Sequence, residues 1–129
     1  MGKNIVIKGA DYSANAITSE RVVTPSFTIG QAVRCADGLL TPNANQKYCD
    51  VELETTDTAV IFRATGYAPY GLAFFNGNTF VSGVGYADFE LHRIQIPQNA
   101  NRFMYSYLSE ARAAALDKPV VNTITIEYR

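Results

Sequence analysis

The residues of this chain that could do acid–base or nucleophilic chemistry are few, and no known catalytic pattern joins them. His92 is the only histidine, and a general base needs an acid or a nucleophile within hydrogen-bond reach. Ser82, Ser106 and Asp88 are present by type, but neither serine lies in a Gly-x-Ser-x-Gly turn. We therefore interpret His92 as a half-exposed residue of a strand.

Acidic side chains are more numerous, but their spacing is typical of a solvated strand face. A glycosidase of the two-carboxylate type could draw on Glu52, Glu54, Asp57 or Glu90. In residues 47–54, however, acidic side chains alternate with apolar ones, as in a strand with one wet face. The aspartates are scattered and form no calcium-binding loop. We expect no enzymatic activity, no metal and no cofactor.

Two cysteines, Cys35 and Cys49, allow either one disulfide or two free thiols. The first eight residues contain no long apolar signal segment, and without a secretion signal reduced thiols are the expectation. Cys49 alternates with Val51 and Leu53 on one strand face, which indicates a small buried hydrophobe. A zinc site would have to recruit His92 and a carboxylate at a spacing that matches no common pattern.

Composition and charge exclude several classes of partner. The 129 residues carry 11 Lys+Arg and 12 Asp+Glu, a formal net charge of −1. No basic footprint for nucleic acid and no polybasic membrane patch results from this balance. All apolar runs are shorter than the roughly 20 residues of a membrane span. We expect a protein made in the cytoplasm, with a length that matches one ordinary domain.

The strongest local signal is a β-hairpin in residues 71–83. Two apolar segments flank Asn76, Gly77 and Asn78, and asparagine and glycine accept the positive φ angles of tight hairpin turns. This pattern predicts two antiparallel strands.

Further strands are predicted on both sides of this hairpin. Residues 4–8, 22–23, 27–29, 47–54, 59–65, 89–97, 102–108 and 120–128 have strand-like composition or alternation. In 89–97 the apolar phase slips by one residue near His92, which predicts a β-bulge. Residues 38–46, with Pro42 and two asparagines, are predicted to be a loop. Residues 109–117 are the one helical segment, with Ser109 as N-cap and Pro119 beyond its end.

These elements predict an all-β fold, an antiparallel β-sandwich or jelly roll with one short helix near residues 109–117. Seven or eight short strands at a spacing of about ten residues are typical of that class. Strands distant in sequence must then pair, and we expect the segments near 4–8 and 120–128 to be partners. The expected organisation is an N-terminal strand and arm in residues 1–16 and a β-sandwich domain in 17–129.

Two segments resemble a jelly-roll, galactose-binding-like module found in proteins of Bacteroidetes bacteria and their phages. Residues 71–83, Gly-Leu-Ala-Phe-Phe-Asn-Gly-Asn-Thr-Phe-Val-Ser-Gly, are similar to its Phe-Tyr-Asp-x-Asn-Gly-x-Tyr-Ile-Ser-Gly hairpin. Residues 94–105 are similar to its following Val-Pro-x-Asn-Ala-Lys-Tyr-Ile-Arg strand. Residues 3–16 resemble the N-terminal segment of phage and prophage structural proteins. Together these segments cover about a third of the chain.

The resemblance implies a non-enzymatic virion protein, such as a capsid-decorating, head-fibre or tail-appendage subunit. Such a subunit would assemble with itself, as a trimer or a larger ring, and dock onto other virion proteins. The segment we expect to dock is polar and rich in small residues, so it could add to a partner's sheet edge. Its residues are Lys8, Gly9, Ala10, Asp11, Tyr12, Ser13, Ala14, Asn15 and Ala16.

The same resemblance implies an alternative, a carbohydrate-binding module for host or dietary glycans. Sugar rings stack on flat aromatic side chains while their hydroxyls form directional hydrogen bonds. The chain has no tryptophan, so the candidates are Tyr67, Tyr70 and Tyr86 on predicted loops. Ordinary edge or interface packing of these tyrosines is the competing interpretation.

Overall fold

The computed structural model of the protein describes residues 18–62, 71–85 and 93–129. Within these ranges the chain forms nine strands and one short helix. The strands are β1 (Ser19–Val23), β2 (Thr28–Val33), β3 (Leu40–Glu52), β4 (Asp57–Ile61), β5 (Gly71–Asn76), β6 (Thr79–Gly85), β7 (Arg93–Gln95), β8 (Arg102–Leu108) and β9 (Ile124–Tyr128), and the helix is α1 (Glu110–Ala115).

The strands form two antiparallel sheets, which confirms the predicted all-β sandwich. A four-stranded sheet has the order β1-β9-β4-β7, and a five-stranded sheet has the order β2-β3-β8-β5-β6. The chain crosses from one sheet to the other through residues 24–27, so the edge strands β1 and β2 are joined by four residues. We call these two strands the β1–β2 edge.

The core lies between the sheets and is built by alternation along their strands. Cys49 and Val51 of β3 and Tyr105 of β8 point inward and meet Val60 and Ile126 of the other sheet. All five are at most 7 % exposed. Since burying one large apolar side chain stabilises a fold by about 1.5–3 kcal/mol, this layer is the main source of stability.

The hairpin predicted at residues 71–83 is confirmed as β5 and β6. Asn76 pairs with Thr79 at the turn, and Gly77 has a φ of 59°, a left-handed conformation that glycine adopts without a steric penalty. Arg102 fixes the turn because its Nε donates to the Gly77 carbonyl over 2.8 Å. The turn therefore combines local preference with a contact from β8.

Residues 38–46 form no loop for most of their length, and that prediction is wrong. β3 already begins at Leu40, and residues 40–43 pair with residues 30–33 of β2. The ladder breaks between Ile29 and Gly30, where the pairing partner jumps from Lys47 to Asn43. The chain bends there, and we call residues 30–43 the folded hairpin.

The folded hairpin lies over the outer face of the five-stranded sheet. The backbone N–H of Val33 donates to Ser106 Oγ over 2.9 Å, and both groups are buried. Val33 packs in a second apolar cluster with Ala73, Phe75 and Met104. A Cβ built on Gly83 would lie 1.8 Å from the Cys35 carbonyl oxygen, so the two backbones are in direct contact. The hairpin thus adds a partial third layer.

The C-terminal elements match most of the sequence predictions. The Ser109 hydroxyl accepts from the Arg112 N–H over 3.2 Å as the N-cap of α1. In β9, Ile124 and Ile126 face the core. Among the described residues β9 pairs with β1 and β4, whereas the partner predicted for it from the sequence is the segment 4–8. The bulge predicted near His92 and the strand at 4–8 lie outside the described residues.

Candidate functional site

Most residues singled out from the sequence lie outside the described ranges. They are the predicted docking segment 8–16, the tyrosines Tyr67, Tyr70 and Tyr86, and the titratable residues Asp88, Glu90 and His92. The candidates that can be placed are the serines, the acidic residues of β3 and β4, and the two cysteines.

Ser106 has a structural role. It points to the outer face of β8, is fully buried, and accepts the hydrogen bond from the folded hairpin. Ser82 lies half-buried in β6, where its Cα partner is Phe74. The one histidine of the chain, His92, lies outside the described ranges, so its position relative to either serine is not part of the described structure.

The acidic residues of β3 and β4 do not converge on one point. Asp50 forms a 2.9 Å ion pair with Arg102 on the outer face of the sheet, and Glu52 is exposed. Asp57 instead is buried, with its side chain 1 % exposed, and binds the Arg21 guanidinium through both oxygens. Of the other candidate carboxylates, Glu54 lines one cleft together with Asp57, whose two oxygens are already bound to Arg21, and Glu90 lies outside the described residues.

The Arg21–Asp57 pair joins β1 to β4 across β9. The two residues sit on strands that flank β9, and Asp57 also accepts the N–H of Glu54 over 2.7 Å. The hydrogen bonds that Arg21 donates to Asp57 raise the pKa of the Arg21 guanidinium. Because both partners are satisfied, this pair is a structural element.

A polar cleft of about 390 Å³ adjoins this pair at the strand ends. We call it the strand-end cleft. Its polar lining includes the side chains of Glu54, Gln95, Gln98, Asn101 and Arg129. Amides, a carboxylate and a guanidinium offer both donors and acceptors, which is the chemistry that suits a ligand rich in hydroxyl groups.

A second cleft, of about 310 Å³, opens beside the β1–β2 edge. We call it the lysine cleft. Lys47 is only 3 % exposed, and its Nζ donates to Asn122 Oδ1 over 3.1 Å and lies 4.3 Å from the centre of the Phe27 ring. Burial lowers the pKa of Lys47, while the nearby Glu110 opposes that shift. An ammonium group is thus held inside a partly apolar opening.

The two cysteines are free thiols in different environments. Cys49 is buried in the core, and burial raises the pKa of its thiol to about 12. Cys35 is half-buried on the folded hairpin. Over the described ranges no group of three or more His, Cys, Asp or Glu side chains is placed to hold a metal ion.

No helix among residues 18–62, 71–85 and 93–129 has the length and apolar character needed to cross a membrane. No protein family, curated protein or solved structure matches the chain.

The sequence reasoning missed both clefts, although one signal for the lysine cleft was present. Lys47 has the same strand phase as Cys49 and Val51, so it had to point toward the core. A charged residue in an inward phase is unusual. The strand-end cleft had no comparable signal, because its lining comes from three separate segments of the chain.

Proposed function

We propose that this protein is a non-enzymatic structural subunit of a bacteriophage particle, which self-associates and docks onto other virion proteins. The proposed location is the virion. The proposal combines the sequence resemblance with one structural observation, the open β1–β2 edge.

The β1–β2 edge supports this proposal because, within the described part of the chain, it presents strand backbone without a neighbouring strand together with exposed apolar side chains. β1 and β2 are the outer strands of their sheets, and Val22 and Ile29 on them are 64 % and 66 % exposed. Exposed edge strands of this kind are templates for pairing with another chain. Residues 8–16, the proposed docking segment, precede β1 directly in the chain.

Light scattering tests self-association. A trimer would have a mass of about 42 kDa, three times the 14.1 kDa of one chain, and a larger ring more. Val22→Lys should lower the mass toward that of the monomer, since a lysine on an edge strand opposes strand addition. Leu39→Lys is the matched control, because Leu39 is similarly exposed at 58 % but lies at the tip of the folded hairpin.

Deletion of residues 1–16 tests docking. The truncated protein should keep the circular dichroism spectrum of the sandwich and fail to enter particles. A truncated protein that assembles normally would contradict the role of the arm. A full-length protein that stays monomeric at all concentrations would contradict self-association.

Glycan binding is the second candidate function, and the strand-end cleft is the observation that favours it. Its amides and charged groups match the hydrogen-bonding needs of sugar hydroxyls. Gln95→Ala with Gln98→Ala should abolish saturable glycan binding without lowering the melting temperature. Tyr67→Ala and Tyr70→Ala test the sequence-based alternative in the same assay. A glycan array without any binding to the assembled protein would argue against this function.

A further inference from the structure

We infer that the lysine cleft is a binding site for a small amphipathic monocarboxylate, with Lys47 holding the carboxylate and Phe27 and Ile29 contacting its apolar part. This inference goes beyond the proposed assembly function and does not depend on it.

The Lys47 side chain points inward from β3. On β3 its Cα partners are Ile29 of β2 and Tyr107 of β8, and it shares the inward phase of Cys49. Its ammonium group therefore lies between the two sheets, near the open edge.

The Lys47 ammonium group is incompletely paired among the described residues. It has three N–H donors, and the structure gives it one amide acceptor, Asn122, and one aromatic face, Phe27. No carboxylate of residues 18–62, 71–85 or 93–129 forms an ion pair with it. Glu110 acts on this charge within the same cleft but forms no ion-pair contact with it. Because an incompletely paired buried charge is costly, a carboxylate ligand in direct contact would lower that cost.

Several residues that line the lysine cleft are apolar. Beside the lysine lie Pro25, Phe27 and the two-thirds-exposed Ile29, so the part of the ligand next to the carboxylate should be apolar. The volume, about 310 Å³, is at the small end of the roughly 300–1,000 Å³ that ligand pockets span. A short aliphatic acid fits this description.

A carboxylate in the lysine cleft limits the charge of the ligand. Glu110 also lines the cleft, and its carboxylate repels a second negative charge on a ligand. The site should therefore favour a monoanion over a dicarboxylate.

The test uses hexanoate as the probe, with hexanamide and succinate as matched comparisons, and follows backbone amide shifts of the ¹⁵N-labelled full chain. Hexanoate should shift the amides of the cleft residues in a saturable manner. Hexanamide and succinate should each bind at least about tenfold more weakly, equivalent to about 1.4 kcal/mol. Hexanamide lacks the charge, and succinate carries one charge too many.

Variants of the protein test whether binding depends on the charge of Lys47 or only on the shape of the cleft. Lys47→Met keeps the length of the side chain and should weaken hexanoate binding about tenfold or more. Lys118→Met removes a lysine outside the cleft and should leave the binding unchanged. Glu110→Gln should increase the affinity for succinate more than the affinity for hexanoate. Equal binding of hexanoate and hexanamide to the wild-type protein, or no shift of cleft amides with hexanoate, would overturn the inference, whether or not Lys47→Met folds.

Discussion

Replacing Gly83 by alanine should lift the folded hairpin from the five-stranded sheet. A Cβ at this position would lie 1.8 Å from the Cys35 carbonyl oxygen and 2.9 Å from the Cys35 Cα. Both atoms belong to the backbone, so no side-chain rotation can relieve the overlap. The hairpin tip must move, or β6 must separate from it.

The loss in the free energy of unfolding of Gly83→Ala depends on the apolar side chains that the folded hairpin covers. Phe75 and Met104 are only 6 % and 8 % exposed beneath it, although they lie on the outer face of the sheet. Overpacking typically costs about 1–3 kcal/mol, and partial re-exposure of a large apolar side chain adds up to about 1.5–3 kcal/mol. We expect Gly83→Ala to lower the free energy of unfolding by about 3 kcal/mol.

Urea denaturation followed by circular dichroism measures this loss, and Gly77→Ala is the matched control. A Cβ built on Gly77 would have no atom within 4 Å, and its φ is +59°, so alanine there costs only the left-handed conformation, about 1–2 kcal/mol. Faster labelling of the Cys35 thiol in Gly83→Ala would report the lifted tip directly. A loss no larger than that of Gly77→Ala, with unchanged labelling of Cys35, would refute the close contact between hairpin and sheet.

Three further predictions concern buried polar groups. Ser106→Ala leaves a buried backbone N–H of the folded hairpin unpaired and should cost about 1–3 kcal/mol in urea denaturation; no loss would contradict that hydrogen bond. Arg21→Ala leaves the buried Asp57 carboxylate uncompensated and should cost about 3 kcal/mol, whereas the double variant with Asp57→Leu should recover part of this loss. Iodoacetamide should label Cys35 in the native protein at pH 8 and Cys49 only after unfolding, because a thiol with a pKa of about 12 stays protonated and buried; equal labelling rates would contradict this environment.

The sequence predicted those parts of the fold whose information is local. The β5–β6 turn needs a left-handed residue, and Gly77 supplies it next to asparagines. The alternation of Cys49 and Val51 with charged residues predicted β3 because one face of that strand is buried and the other is exposed to solvent. The helix cap at Ser109 is a signal of the same local kind.

The parts that failed depend on contacts distant in sequence. Pro42 and its neighbouring asparagines favour a loop, yet Pro42 pairs with Gln31 within the folded hairpin. That segment is extended because it covers Phe75 and Met104, which are more than thirty residues away along the chain. A local pattern contains no information about such a cover, and the same reason explains why the strand-end cleft was missed.

The third layer also limits where this protein can interact. The folded hairpin occupies part of the outer face of the five-stranded sheet. On the outer face of the other sheet, Glu127 of the inner strand β9 pairs with Arg93 over 2.7 Å, which places an ion pair there. Among the described residues, the large apolar side chains that remain well exposed are Val22, Ile29, Leu39 and Val120, and two of these four are on the β1–β2 edge. If the proposed assembly instead used the outer face of the four-stranded sheet, Arg93→Glu should disrupt it and Val22→Lys should not, so this pair of variants distinguishes the two surfaces as sites of the proposed self-association.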